Sequence, residues 1–279
     1  MKAIIKRISK LLHQHKGIDI LKYNESFLTK SIDRRMSENH YKSEEEYCDF
    51  LEQNKEEADS FIELLHNSYS EFFRNSLTFS VLEHIILPKL IHKKKDGKSK
   101  EIRIWSAACA QGQEVYSIAM LLEELRNGDK ERVKYRLFAT DKYDVQINKA
   151  QTGKYSKSDL NNVNLKRLEK WFTKQNDSYT IKSELMKNID FSVFDLLDKN
   201  STSPSASIFG DFDIVICANL LFYFEPKIRE SMLDNVSRSI SKGGYLITGE
   251  AEREILLNHN FTEVFPPSGI FQRKLNTNK

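Results

Sequence analysis

Ile102-Arg103-Ile104-Trp105-Ser106-Ala107-Ala108-Cys109-Ala110-Gln111-Gly112-Gln113-Glu114 is the stretch on which the fold turns. A short apolar run, a strand candidate, passes into a small-residue turn at Cys109 to Gly112. A helix follows, with Val115, Ile118, Ala119, Leu122 and Leu125 spaced for one buried face. The same strand-then-helix pattern recurs downstream. Tyr135 to Thr140, Ile189 to Phe194 and Phe212 to Cys217 read as strands, with a helix around Val145 to Ala150. Another helix carries Ile228, Met232, Leu233, Val236 and Ile240 on one face and is expected to end at Gly243-Gly244, after which Tyr245 to Thr248 returns to strand. Such alternation predicts right-handed crossovers and a doubly wound α/β fold with a mostly parallel sheet.

The alternation is bracketed by different material. Upstream of Glu101 the hydrophobic period is helical throughout: Leu28, Ile32 and Met36, then Tyr47, Phe50 and Leu51 behind a Ser43/Glu46 capping box, then Ala58, Phe61, Ile62 and Leu65. Leu82, Ile85 and Ile86 mark a fourth helix, expected to end at or before Leu87 because Pro88 follows. These patterns divide the chain into a small N-terminal helical domain (1–75), a connecting helix and basic loop (76–100) and an α/β domain (101–279). Residues 156–187 look like an inserted subdomain, with a helix near Leu165 to Phe172 and a short hairpin around Tyr179 to Ile181. Lys199 to Gly210 reads as a loop. Phe261 to Phe265 and Ile270 to Leu275 suggest a closing antiparallel hairpin.

Composition narrows the function classes. The chain has 279 residues, 43 Lys and Arg against 40 Asp and Glu, and 39% apolar residues. Net charge is only +3 with both signs interspersed, unlike the concentrated basic surface of a nucleic-acid binder. The one dense basic run, His92 to Lys100, reads as a solvated loop. No apolar run is long enough for a membrane span, and Met1 to Lys10 lacks the features of a secretory signal, so a cytoplasmic location is expected. Cys48, Cys109 and Cys217 are odd in number and far apart, which argues against a disulfide framework or a zinc site, and no metal is expected.

In an open α/β sheet, ligands bind beyond the carboxyl ends of the strands. Four successive strand ends here carry polar groups: Gly112 and Glu114 after the first, Asp141 after the second, Asp195 after the third and Asn219 after the fourth. Each also has a structural reading, because Asp is a preferred helix cap and Gly112 suits a turn. A dinucleotide site would place a glycine-rich loop against a pyrophosphate. This turn instead holds a single glycine beside Glu114, which would repel phosphate but suits a ligand bearing a sulfonium and an ammonium. Methyl transfer is favoured over hydride transfer.

With those residues in view, the chain resembles the CheR-type chemotaxis receptor glutamate methyltransferases. Ser70-Glu71-Phe72-Phe73-Arg74-Asn75 is similar to the family's T-E-F-F-R-D/N, and Trp105 to Ser117 to its W-S-A-G-C-S-T-G-E-E-P-Y-S. Phe138 to Asp141, Gly153 to Tyr155 and Cys217 to Phe224 also match, in order, over nearly the whole chain. The resemblance implies a seven-stranded methyltransferase sheet with a small inserted β-subdomain, and S-adenosylmethionine (SAM) as cofactor, leaving S-adenosylhomocysteine. It implies that Ser68, Ser70, Arg74, Gly112, Glu114, Asp141, Asp195, Leu196, Asn219 and Leu220 line the cofactor pocket. Arg74 and Tyr223 would face the transferring methyl group as catalytic residues. Lys30, Arg34 and Arg35 would dock the acidic helices of a chemoreceptor, and the protein would act as a monomer. The chain departs from the family at Gln113, Val115 and Ala218, and carries Gly249-Glu250-Ala251-Glu252 where the family has G-H-S-E. Two other readings therefore stay open: a methyltransferase for another substrate, and a non-catalytic SAM-binding sensor or scaffold.

Overall fold

Asn24, Ser43 and Asn54 each turn a side-chain oxygen onto a backbone N–H two or three residues ahead, and each opens a helix. The computed structural model describes residues 1–66, 69–97, 99–126, 133–198, 201–207 and 210–274. Its first helices are α1 (Lys2–Lys16), α2 (Glu25–Glu38), α3 (Glu44–Gln53) and α4 (Lys55–Leu65). They bury Ile8, Leu12, Leu28, Ile32, Tyr47 and Phe61 among themselves. A carboxylate also lies inside. Glu57 accepts from the Arg35 guanidinium, from Tyr47 Oη at 2.7 Å and from Asn39 Nδ2 at 3.2 Å. A buried carboxylate needs that many donors to offset lost hydration.

The chain divides into two compact units, Met1–Ser68 with Leu221–Ser231, and Tyr69–Leu220 with Met232–Lys279. The first unit thus ends earlier than residue 75, and it recruits a segment that the sequence pattern assigns to the α/β domain. The backbone of that segment is bonded to the loop before α2: Asn24 N–H donates to Tyr223 O (2.8 Å) and Glu225 N–H to Lys22 O (2.9 Å).

The second unit opens with α5 (Ser76–Val81), a π-helical turn over Leu82–Ile86 and α6 (Leu87–Asp96). The expected stop before Pro88 does not occur. Leu87 N–H bonds back to Leu82 O, five residues away, so the ladder is already shifted where proline lacks its donor. The first part of the basic run, His92 to Asp96, is the last turn of α6 and not a loop. Lys94 is turned inward onto Asp213, Nζ to Oδ2 2.9 Å, with both side chains largely buried.

The sheet contains β1 (Glu101–Ser106), β2 (Lys134–Asp141), β6 (Ile189–Val193), β7 (Phe212–Ile216), β8 (Ile240–Ile247), β9 (Phe261–Glu263) and β10 (Ile270–Arg273). Their spatial order is β6-β2-β1-β7-β8-β10-β9. β6, β2, β1, β7 and β8 pair in parallel, and β10 is antiparallel to both neighbours. The strand order reverses between β1 and β7, which opens a crevice at their carboxyl ends. Helices α7 (Gln113–Arg126) and α8 (Asp144–Thr152) follow β1 and β2, and α11 (Pro226–Ser239) precedes β8. Gly243 and Gly244 do not end α11; they lie within β8 at a register shift against β7. A Cβ on Gly244 would sit 2.9 Å from Asp213 O, so only glycine lets the strands close there.

The insertion is a three-stranded antiparallel sheet of β3 (Lys154–Ser156), β4 (Phe172–Gln175) and β5 (Ser178–Ile181), in the order β3-β5-β4, with α9 (Leu165–Trp171) and α10 (Ser183–Met186). β3 precedes the expected start of the subdomain. A short helix, α12 (Arg253–Leu257), lies before the closing hairpin of β9 and β10. No helix among the described residues is long and apolar enough to cross a membrane.

Candidate functional site

Hydrogen bonds continue past the strand ends and tie the tips together. Cys109 N–H reaches Thr140 O (2.8 Å), Ala107 N–H reaches Ile216 O (2.8 Å) and Cys217 N–H reaches Ile247 O (2.9 Å). The turn after β1 is thereby fixed on its neighbours. Ala110 adopts φ 47° and gives its N–H to Asp141 Oδ2 at 3.1 Å. Gln111 O accepts from Tyr155 Oη at 2.6 Å, so β3 of the insertion braces the same turn. Gly112 has φ 92°, and a Cβ there would lie 3.0 Å from the Tyr116 ring and 3.1 Å from Ala150 Cβ. Its glycine is required by both conformation and space.

Glu114, in the first turn of α7, accepts from Ser106 Oγ at 2.7 Å. Burial pushes its carboxyl up to about 7, while the Ser106 hydroxyl and the Arg74 guanidinium oppose the rise and Glu252 adds to it. The residue keeps some exposure at its edge, and a cation arriving there would restore the carboxylate. Asp141 is buried, and burial raises its carboxyl against the pull of the Tyr143, Ala110 and Lys142 N–H groups. It does not cap α8, whose N-cap is Tyr143. Asp195 accepts from Leu197 N–H (2.9 Å) and pairs with Lys142 Nζ at 2.6 Å. Leu196 is buried, and its carbonyl accepts from Asn235 Nδ2.

Asn219, beyond β7, stands in the left-handed region at φ 60°. Its N–H and that of Leu220 both donate to the Glu252 carboxylate, each at 2.7 Å. The family resemblance gives Glu252 no role. The signal was the spacing Gly249-x-x-Glu252, which returns a carboxylate to its own turn's N–H.

Arg74 is held by strained backbone on both sides. Phe73 (φ 50°) and Asn75 (φ 63°) are both left-handed, a conformation costing about 1–2 kcal/mol for a residue with a side chain. Phe73 N–H is fixed by Ser117 Oγ (3.0 Å), and Asn75 caps α5 through Thr78 N–H. Arg74 Nη1 donates to Tyr69 O at 3.3 Å, with its guanidinium 5.4 Å from the Tyr69 ring centre. Strain of this kind collects where a side chain must be aimed. Ser70 is half-buried in the same loop; Ser68 lies outside the described residues.

Tyr223 belongs to the helical unit. Its ring packs on Phe27 of α2 at 4.7 Å and on Phe222 at 4.2 Å. Lys30 and Arg34 on the same helix are exposed, Arg34 paired with Glu38 at 2.8 Å. Arg35 is not on that exposed face: it is turned toward Glu57, with a second bond to Glu38 at 2.7 Å. Among the described residues no group of His, Cys, Asp and Glu could hold a metal ion.

The acidic and amide groups at the strand tips suit a cationic ligand, and Glu114 in particular gains its charge from one. Comparison with known proteins agrees. A family model described as "CheR methyltransferase, SAM binding domain" matches residues 68–269, and "CheR methyltransferase, all-alpha domain" matches residues 3–65. The chemotaxis protein methyltransferase of Borreliella burgdorferi is 28% identical over 94% of this chain and 92% of its own. That of Escherichia coli is 28% identical, covering 93% of this chain and 87% of its own. Chemotaxis protein methyltransferase 1 of Pseudomonas aeruginosa is 30% identical over 72% of each chain.

Proposed function

The chain belongs to the CheR methyltransferase family, whose cofactor is S-adenosylmethionine, and from that premise we propose that it esterifies glutamate side chains on a chemoreceptor. The observation that carries the reading is Arg74, a guanidinium held by two left-handed neighbours within electrostatic reach of Glu114. When bound, SAM supplies an electrophilic methyl on a sulfonium. Glu114, Asp141, Asp195 and Asn219 hold the cationic nucleoside from the strand tips. Arg74 aligns the incoming carboxylate, whose planar pair of oxygens its fork matches.

A glutamate side chain has a pKa of about 4.3, so it arrives as the anion and needs no general base. One carboxylate oxygen forms the O–CH3 bond as the S–CH3 bond breaks, and no proton moves. The products are a methyl ester and S-adenosylhomocysteine. The chain's task is alignment within about 3 Å and exclusion of water. Lys30 and Arg34, exposed on α2, suit the acidic helices of a receptor.

Methyl-labelled SAM and a receptor cytoplasmic fragment test this. Label released as methanol by mild base is the expected outcome. Base-stable label would mean N-methylation, and cofactor binding without transfer would mean a sensor.

A further inference from the structure

Glu252 is wholly buried, the most enclosed acidic residue among those described, and the reaction makes no direct use of it. Its oxygens receive three backbone N–H groups. Oε2 accepts from Asn219 (2.7 Å) and Gly249 (2.9 Å), and Oε1 from Leu220 (2.7 Å). Those donors lie on two separate chain segments, one ending β7 and the other following β8. The carboxylate therefore bridges neighbouring strand tips next to the point where strand order reverses.

Its surroundings fix it on every side. A Cβ on Gly249 would stand 2.3 Å from Asn219 Nδ2, so the two segments already touch and only glycine fits. The next residue, Arg253, forms a two-pronged pair with Glu263 at 2.8 and 2.7 Å. Glu263 also accepts from Gly269 N–H at 2.8 Å, which binds the turn carrying Glu252 to the closing hairpin. The result is a rigid lever ending under Asn219.

We propose that Glu252 is a positioning residue for the cofactor, holding the Asn219–Leu220 backbone in the left-handed kink that receives the nucleoside. It acts through Asn219 and Leu220, so it governs cofactor affinity and not the methyl-transfer step. The inference rests on the reading of this crevice as the SAM site. Glu252 has a second influence, since it raises the Glu114 carboxyl, which Ser106 from β1 and Arg74 from the loop before α5 pull down.

The test uses the full chain and Glu252→Gln, which keeps the shape, removes the charge and turns one acceptor into a donor facing an N–H. SAM and S-adenosylhomocysteine affinities are measured by calorimetry between pH 5.5 and 7.5, beside turnover at saturating SAM. Loss of one such buried hydrogen bond predicts affinity weaker by about tenfold or more. Turnover at saturation should stay within about threefold, and the pH at which affinity falls should move lower than in the wild type. Glu250→Gln, the exposed neighbour, should change none of these. Where Glu252→Gln does not fold, Gly249→Ala disturbs the same kink from its other side and should reproduce the affinity loss. Unchanged affinity in either folded variant overturns the proposal while leaving the SAM reading intact. No binding by the wild type removes the SAM reading itself.

Discussion

Acidifying the solution from pH 7.5 to 5.5 should weaken cofactor binding about twenty-five-fold through Glu114. Burial holds this carboxyl up to about 7 in the free protein. It is then about three-quarters ionised at pH 7.5 and about one-thirtieth ionised at pH 5.5, a ratio equivalent to about 1.9 kcal/mol. The sign follows from the charges. A bound sulfonium and ammonium favour the carboxylate, so the ligand lowers the pKa and binding below about pH 7 expels a proton. In the free protein the same raised pKa means that ionisation opposes folding, and stability from this group is lost as pH rises toward 7. Thermal protection by the cofactor should accordingly grow with pH. Calorimetry in two buffers of different ionisation enthalpy counts the released proton directly. Up to pH 7.5 the ligand's own amine, whose class titrates at about 7.7–8.0, stays mostly protonated. Flat affinity with no proton release in the wild type would refute the argument. An undiminished slope in Glu114→Gln would transfer the titration to another group, with Asp141 the next raised carboxyl.

Three other outcomes follow from the same geometry. Arg74→Ala should leave SAM affinity within several-fold while cutting turnover by about two orders of magnitude or more; loss of binding with turnover preserved would refute its clamp role. Gly112→Ala should destabilise the free protein by about 1–3 kcal/mol, because φ 92° and contacts at 3.0 Å and 3.1 Å leave no strain-free option, and a melting curve matching wild type would contradict this. Arg35→Ala should cost about 3–5 kcal/mol in denaturant unfolding by leaving the Glu57 carboxylate buried without its cation, whereas Lys30→Ala should be nearly neutral. Equal effects of the two would return Arg35 to the surface.

The sheet was legible because its buried parallel strands are short apolar runs ending in polar tips, and that pattern survives without any tertiary information. The polar groups at the strand tips were legible for the same reason, since strand ends name their own residues. What the pattern hid was set by contacts distant in sequence. Pro88 reads as a helix stop, yet the π turn before it moves the ladder so that the missing donor is not needed. Gly243-Gly244 reads as a helix terminator, yet the close approach of Asp213 O explains the second glycine. Arg35 lies seven residues after Leu28, on the buried stripe of α2 that Arg34 is off, and what the pattern hid was its partner there, Glu57, 22 residues away. Glu252 is marked only by its spacing from Gly249, and its burial follows from Asn219 and Leu220, more than 30 residues away.

Leu221–Ser231 folds with the helices although the chain on both sides of it builds the sheet. The polypeptide consequently passes between the two units three times, not once. Cutting away the first 68 residues would strip Phe224 of its stacking partner Tyr23 (5.0 Å) and Tyr223 of Phe27 (4.7 Å), baring an aromatic ribbon. The helical region is thus no detachable cassette. A chimera that exchanges it with a relative's must carry both pieces, or Tyr223 and Phe224 arrive on a foreign seat.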